Sequence, residues 1–199
     1  HMDPQQRLFL EQAYASIEDA GYTPGNLSST KKVGVYVGVM NSTYLRVAND
    51  WSVANRVSYL FDFHGPSMAV DTACSSSLTA IHLAVEALRN GSCDRAIAGG
   101  VNLIVEPVHL QALSAMTMLT GGDRVRAFGD GADGFVDGEG VGAVVLKLLE
   151  EAVCDGDHIH GIIRASSLNA GGRTHGYTVP NPVAQAAVVS NALRREGVH

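Results

Sequence analysis

From Ser75 to Arg89 the chain reads SSSLTAIHLAVEALR, with no Asp, Glu, Lys or Arg before Glu86. Residues of this kind favour a helix. Leu78, Ala80, Ile81, Leu83, Ala84, Val85, Ala87 and Leu88 leave that helix almost no polar face. A helix apolar nearly all round has to be covered on every side. The segment therefore predicts a buried helical layer between two sheets, and no other stretch constrains the fold as strongly. His82, on the same surface, calls for a hydrogen-bonding partner.

The flanking sequence alternates strand and helix patterns. Asp3 followed by Pro4 opens a helix expected over about 4–20, because the carboxylate caps an orphan amide and proline tolerates the first helical position. Leu10, Ala13, Tyr14, Ile17 and Ala20 recur at helical spacing before Gly21. KKVGVYVGV then places Val33, Val35, Val37 and Val39 at period two, a strand whose interleaved Gly34 and Gly38 indicate that something packs close on that face. Asn41 to Asp50 reads as a loop, WSVANRVSYLFDF as the start of a short helix that turns at HGPS, and Ser67 to Asp71 as a short strand. Further strands are expected at RAIAGGVNLI, Val141 to Lys147 and His160 to Ser166. Helices are expected at PVHLQALSAM, at about Leu148 to Cys154 and at about Val183 to Glu196. This alternation is the pattern of an α/β layered fold.

Cys74 falls where the short strand delivers the chain to the apolar helix. There a thiol sits at the positive end of the helix dipole, which favours the nucleophilic thiolate. Its backbone amide can hold an oxyanion beside an attacked carbonyl, and Ala73 and Ser75 to Ser77 leave room for a sharp turn and a substrate. Free cysteine is also among the most buried residue types. Local context alone leaves Cys74 open between a small core thiol and a nucleophile, whereas Cys93 and Cys154 read as structural.

Composition removes several other classes. With 14 Lys and Arg against 20 Asp and Glu, the net charge of −6 offers no basic stripe for nucleic acid or an anionic membrane. No run approaches the length of a membrane span and no secretory signal opens the chain; a cytoplasmic protein is expected. Three cysteines with no CxxC pair, and histidines without ligand spacing, speak against a disulfide scaffold or a metal site. GDGADG at 129–134 has dinucleotide-site spacing but does not lie between a strand and a helix. Asp133 and Glu139 read as loop-holding carboxylates that bind backbone amides. His64 reads as structural.

Several ordered blocks carry a resemblance over essentially the whole chain: MDPQQRLFLEQAYASIEDAGY, VGVYVGV, ANRVSYLFDFHGPSMAVDTACSSSLTAIHLA, AIAGGVNLI, ADGFVDGEGVGAVVLK and GGRTHGYTVPNPVAQ. Together they resemble the β-ketoacyl synthase domain of modular polyketide synthases. GGRTHGYTVPNP is more similar to assembly lines whose acyltransferase is a separate protein. The resemblance implies a thiolase-like α-β-α-β-α sandwich. It implies a single incomplete domain, with about 1–147 forming most of the amino-terminal half and about 148–199 the start of the carboxy-terminal half.

DTACSSS matches the family's nucleophile block, so the resemblance implies that Cys74 carries an acyl thioester. Decarboxylative Claisen condensation then follows, with a malonyl thioester carried by an acyl carrier protein. It further implies a homodimer with the strand before Cys74 near the interface, and no metal or redox cofactor, since the phosphopantetheine arm belongs to the carrier. Phe135, in a glycine-rich segment that approaches the nucleophile in the family fold, and His175, on a loop near the acyl pocket, are the candidate substrate-binding residues. The HGTGT and NIGH-like blocks that hold the family's histidines are not in the sequence. Two alternatives stand beside the condensing enzyme: a non-elongating synthase that only transfers acyl groups, and a non-catalytic dimerising portion of a megasynthase. A thiolase acting on coenzyme A shares the architecture but matches these blocks less closely.

Overall fold

The computed structural model describes residues 2–40, 44 and 49–195. They divide into two compact units, 1–147 and 148–199.

The first unit begins with α1 (Pro4–Asp19), capped as its sequence demands. Asp3 Oδ1 accepts from the Gln5 amide at 2.8 Å, Pro4 opens the helix, and Gly21 leaves it at a φ of +82°. Strand β1 (Val33–Val39) is followed by α2 (Asp50–Phe61), longer than the short helix expected, which closes on Asp62 in the left-handed conformation. Most of the expected 41–50 loop lies outside the described residues, and Asp50 already belongs to α2. Next come β2 (Ser67–Val70), α3 (Ser76–Arg89), β3 (Arg95–Asn102), α4 (Pro107–Ala115) and β4 (Gly140–Leu146). The sheet order is β2-β1-β3-β4; the first three strands run parallel and β4 runs antiparallel to β3.

Alternation along β1 divides the core in two. Val33, Val35, Val37 and Val39 join Ile97 and Val101 of β3, and meet Phe9, Ala13 and Ile17 of α1 and Val53, Ala54 and Val57 of α2. Each fully buried large apolar side chain here stabilises by about 1.5–3 kcal/mol, so this face supplies bulk. The opposite face is built small. Tyr36, Ala96 and Ala98 pack against Ala80, Ala84, Ala87 and Leu88 of α3. Alanines and glycines let α3 approach the sheet closely: a Cβ on Gly38 would stand 2.4 Å from the Ser77 amide nitrogen, and one on Gly100 2.9 Å from Ser77 Cβ. The close packing inferred from the glycines of β1 is that of α3 at Gly38, and of Tyr36 and Cys93 at Gly34.

A mixed sheet carrying helices on both faces is an α/β arrangement, as expected of the thiolase-like fold implied by the resemblance. Within the chain α3 is not covered on all sides, however. Ala80 and Ala84 are buried, Ile81 and Leu83 half-buried, and Leu78 is 70% exposed. The described residues hold one sheet, and α3 lies on it by one face.

The second unit contains α5 (Leu149–Asp155), closed by Gly156 at a φ of +72°, and α6 (Pro182–Arg195). The strand expected at His160 to Ser166 does not form. Among the described residues of this unit no strand runs beside it, and an extended segment without a neighbour has no ladder to join. The loop before α6 is tied instead by side chains: Asn169 Nδ2 donates to Ala184 O at 2.7 Å and Asn181 Nδ2 to Gly171 O at 2.6 Å.

Candidate active site

Five residues, 71–75, turn the chain from β2 into α3. Asp71 Oδ1 accepts from the Ala73 amide at 2.9 Å, and Ser76 Oγ accepts from the Thr72 amide at 2.9 Å while donating to Ala73 O at 2.6 Å. Ser75 Oγ donates back to Thr72 O at 2.9 Å, and the Thr72 and Thr79 hydroxyls meet at 2.9 Å. The amides of Ser75 and Ser76 donate to Thr72 O and Ala73 O. None of these bonds takes the amide of Cys74. Ala73 is held at a φ of +54°, a conformation that costs an ordinary L-residue roughly 1–2 kcal/mol and persists only where neighbours over-determine it.

The outcome is a free, exposed Cys74 on a strained turn fastened by the residues on either side of it. The sequence starts the helix at Ser75, directly after Cys74; in the structure Ser75 is the N-cap and α3 begins at Ser76, so Cys74 stands two residues before the first helical one. The serines are more than spacers, because Ser75 and Ser76 fasten the turn and Ser77 fills the space left by Gly38 and Gly100.

Cys74 opens onto a cavity of about 640 Å³ on the α3 face of the sheet. The floor is a feature invisible in the linear sequence. Strand register aligns Gly38 with Gly100 and Gly100 with Gly142, so three glycines cross three adjacent strands in one row. Ser77 occupies the space above the first two, while a Cβ on Gly142 would meet nothing within 4 Å. The only signal for this row in the sequence is glycine recurring inside strands.

The glycine-rich segment before β4 does reach this cavity, through Asp137 and not through Phe135. Phe135 is half-buried in a bridge with Leu119, its amide donating to Met118 O at 3.0 Å, and it does not line the cavity. Gly134 makes that bridge possible, since a Cβ there would lie 2.5 Å from Leu119 C. Asp137 faces His109 of α4, with Nε2 2.8 Å from Oδ2, and both side chains line the cavity. Two strand-end contacts hold the segment: Asn102 Nδ2 donates to Gly138 O at 2.7 Å and the Ile104 amide to Glu139 Oε1 at 2.7 Å. Sequence reading missed His109 and Asp137, which lie far apart in the chain and on no shared motif.

The other candidates fall into place around the site. Glu139 and Asp133 bind backbone amides as expected. Asp133 takes the Thr120 hydroxyl at 2.6 Å and the Gly121 amide at 3.3 Å, and these bonds, the hydroxyl first, hold its carboxyl below the ordinary range. His175 is exposed in the second unit and does not line that unit's own cavity, formed by the 169–181 loop and α6. His64 pairs with Asp62 at 3.0 Å on the surface. Cys93 is 2% exposed. Among the described residues no three His, Cys, Asp or Glu side chains gather as a metal site, and no helix is long and apolar enough to cross a membrane.

The sequence model described as "Beta-ketoacyl synthase, N-terminal domain" matches residues 1–152. The chain belongs to the β-ketoacyl synthase family. Polyketide synthase PksM of Bacillus subtilis is 64% identical over 197 residues, covering 99% of this chain and 5% of PksM. Polyketide synthase ThaG of Burkholderia thailandensis is 50% identical over 211 residues, covering 99% of this chain and 4% of ThaG. Among solved structures, the oxazolomycin ketosynthase domain OzmH KS7 of Streptomyces albus superposes with a TM-score of 0.96 at 44% identity, over 100% of this chain and 38% of that one. The ketosynthase from module 6 of the Bacillus subtilis bacillaene synthase gives 0.94 at 42%, over 100% and 36%. The chain thus spans a small part of its curated relatives and just over a third of these solved ketosynthase chains.

Proposed function

We propose that Cys74 carries an acyl chain as a thioester and that the ketosynthase domain to which this chain belongs extends that chain by decarboxylative Claisen condensation. The observation that carries this reading is the turn at 71–75, which holds a free, exposed thiol beside a strained residue, tied by its neighbours' hydrogen bonds, in the lining of a cavity. In the first step the Cys74 sulfur attacks the carbonyl carbon of an acyl group on the phosphopantetheine arm of an acyl carrier protein. The new C–S bond forms, the old one breaks, and the carrier thiol leaves with the proton. The amide of Cys74, unused in the turn's bonds, is the oxyanion donor for both passages through the tetrahedral state.

In the second step a malonyl unit on a carrier protein loses carbon dioxide. Its enolate carbon attacks the Cys74 thioester, forming the C–C bond and returning the cysteine sulfur. Family histidines outside this sequence assist that step. The domain works as a cytoplasmic homodimer without metal or redox cofactor, in an assembly line served by a separate acyltransferase. The test is the complete domain loaded with an acyl thioester and given malonyl carrier protein. A product longer by two carbons, with release of carbon dioxide, is expected. Loading of Cys74 with no extended product would replace condensation by acyl transfer alone.

A further inference from the structure

All five residues of the turn, 71–75, are exposed, whereas Ser76, next in the chain, is 6% exposed. Its hydroxyl bonds the turn twice, accepting from the Thr72 amide at 2.9 Å and donating to Ala73 O at 2.6 Å. The Ser76 amide reaches the same Ala73 O at 3.0 Å. Ser75, the N-cap, makes no side-chain bond into the helix; its hydroxyl turns back to Thr72 O at 2.9 Å. A serine at a helix start ordinarily takes up one of the orphan amides of the first turn. Here both serines bind the chain that enters the helix instead.

The consequence lies in the peptide between Ala73 and Cys74. A trans peptide is planar, with its C=O and N–H pointing in opposite directions. Two donors from Ser76 draw Ala73 O toward the first turn of α3, so the Cys74 N–H points away from that turn. On the other side of Ala73, Asp71 Oδ1 holds the Ala73 amide at 2.9 Å. The peptide planes on both sides of Ala73 are thus held, and its φ of +54° is what joins them. Once released, an L-residue relaxes from there to negative φ, and one of the two planes has to rotate. The Asp71 bond is exposed to competing water. The Ser76 hydroxyl is shielded from it, where a hydrogen bond holds more strongly, and it grips the plane that carries the Cys74 amide.

We propose that Ser76 is a positioning residue whose hydroxyl aims the Cys74 amide at the oxyanion formed when Cys74 is acylated, a proposal that rests on the acyl-carrier reading above. The role belongs to one kind of chemistry. When the Cys74 sulfur attacks a thioester, the carbonyl oxygen becomes an oxyanion that an aimed N–H stabilises. Collapse re-forms the C=O, breaks the old C–S bond and releases the pantetheine thiol with the proton. When the same sulfur attacks iodoacetamide, a C–S bond forms as the C–I bond breaks, iodide and a proton leave, and no oxyanion arises. Ser76 serves the first reaction and not the second.

The test measures both reactions at Cys74 in the complete ketosynthase domain, acylation by hexanoyl pantetheine thioester and alkylation by iodoacetamide, each read by peptide mass. Ser76→Ala is expected to slow acylation about tenfold or more. Alkylation should change less than about threefold and keep its pH profile, because the sulfur itself is untouched. Glycine occupies positive φ without strain and does not hold the neighbouring plane either. Ala73→Gly is therefore the background for the same comparison if Ser76→Ala alone does not fold, again with a loss confined to acylation. Acylation unchanged by Ser76→Ala, acylation and alkylation slowed together, or a shifted pH profile of alkylation overturns the proposal and leaves Cys74 as the acyl carrier. Failure of the thioester to acylate Cys74 in the wild type overturns the acyl-carrier reading and this one with it.

Discussion

Cys74 stands just before the amino end of α3 and Cys93 just after its carboxyl end, so one helix holds two free thiols in opposite settings. At the amino end the chain spends polar side chains and a strained residue to keep the thiol out in a cavity. At the carboxyl end the thiol is packed beneath β1, its sulfur 3.2 Å from where a Gly34 Cβ would stand, and burial above all pushes its pKa up. Burial likewise pushes the hydroxyl of neighbouring Tyr36 up to about 12. A cysteine is inert or reactive according to such surroundings. The glycines of the sheet serve both ends: Gly38 and Gly100 admit Ser77 beside Cys74, and Gly34 makes room for the Cys93 thiol.

The largest expected effect is on thiol chemistry. In a Cys154→Ser background, which removes the other exposed thiol, iodoacetamide should alkylate Cys74 about a hundredfold or more faster than Cys93, because Cys93 reacts only through opening of the structure. Comparable rates, read by peptide mass, would erase the distinction between the two ends. Alanine substitutions at three glycines grade the packing. Gly38→Ala drives a Cβ into the backbone of Ser77 and should cost about 1–3 kcal/mol or more, with altered Cys74 reactivity. Gly34→Ala meets Tyr36 Cε2 at 2.8 Å and Cys93 Sγ at 3.2 Å, side-chain atoms that can shift, and should cost about 1 kcal/mol and leave Cys74 unaffected. Gly142→Ala enters open space and should change stability by no more than about 0.5 kcal/mol. Denaturant melts check the order; an equal cost at all three would mean that the contacts a Cβ would make, with α3 at Gly38 and with side chains at Gly34, do not set the cost.

Much of the frame was legible because it is encoded locally. Asp3 and Pro4 announce α1, period-two valines announce β1, and the strand, small residues and helix around Cys74 announce the turn. The amide-binding roles of Asp133 and Glu139 were legible for the same reason, since short carboxylates in glycine-rich loops find nearby backbone. What escaped is written in register and in distance along the chain. Gly38, Gly100 and Gly142 become a row only when three strands pair, and His109 meets Asp137 only when α4 and the segment before β4 converge. Phe135 drew attention as an aromatic in the right segment, but the bridge to Leu119 turns it into the loop's own packing. The apolar circumference of α3 and the unformed strand at 160–166 belong together: each is a surface whose partners are not among the described residues.

The smallest expected effect is acid-dependent and lies away from both thiols. Asp133 is held below the ordinary carboxylate value of 3.8 by the Thr120 hydroxyl and the Gly121 amide. A depressed folded pKa means that the ionised form favours the fold, so its contribution is present above about pH 4 and fades as pH falls through the lower folded value. Asp133→Asn should flatten that part of the stability profile below pH 4 and leave neutral pH little changed. An unchanged acid limb in pH-dependent melts would mean that the loop's carboxylate does not matter to folding, and it would leave the cysteine comparison untouched.

The most direct measurement is the mass of the complete domain after exposure to an acyl pantetheine thioester, followed by peptide mapping. One acyl group on Cys74, absent in Cys74→Ala and retained in Cys93→Ala, is the predicted result. An acyl group that persists in Cys74→Ala, or that appears on Cys93 or Cys154 as readily as on Cys74, would contradict the account.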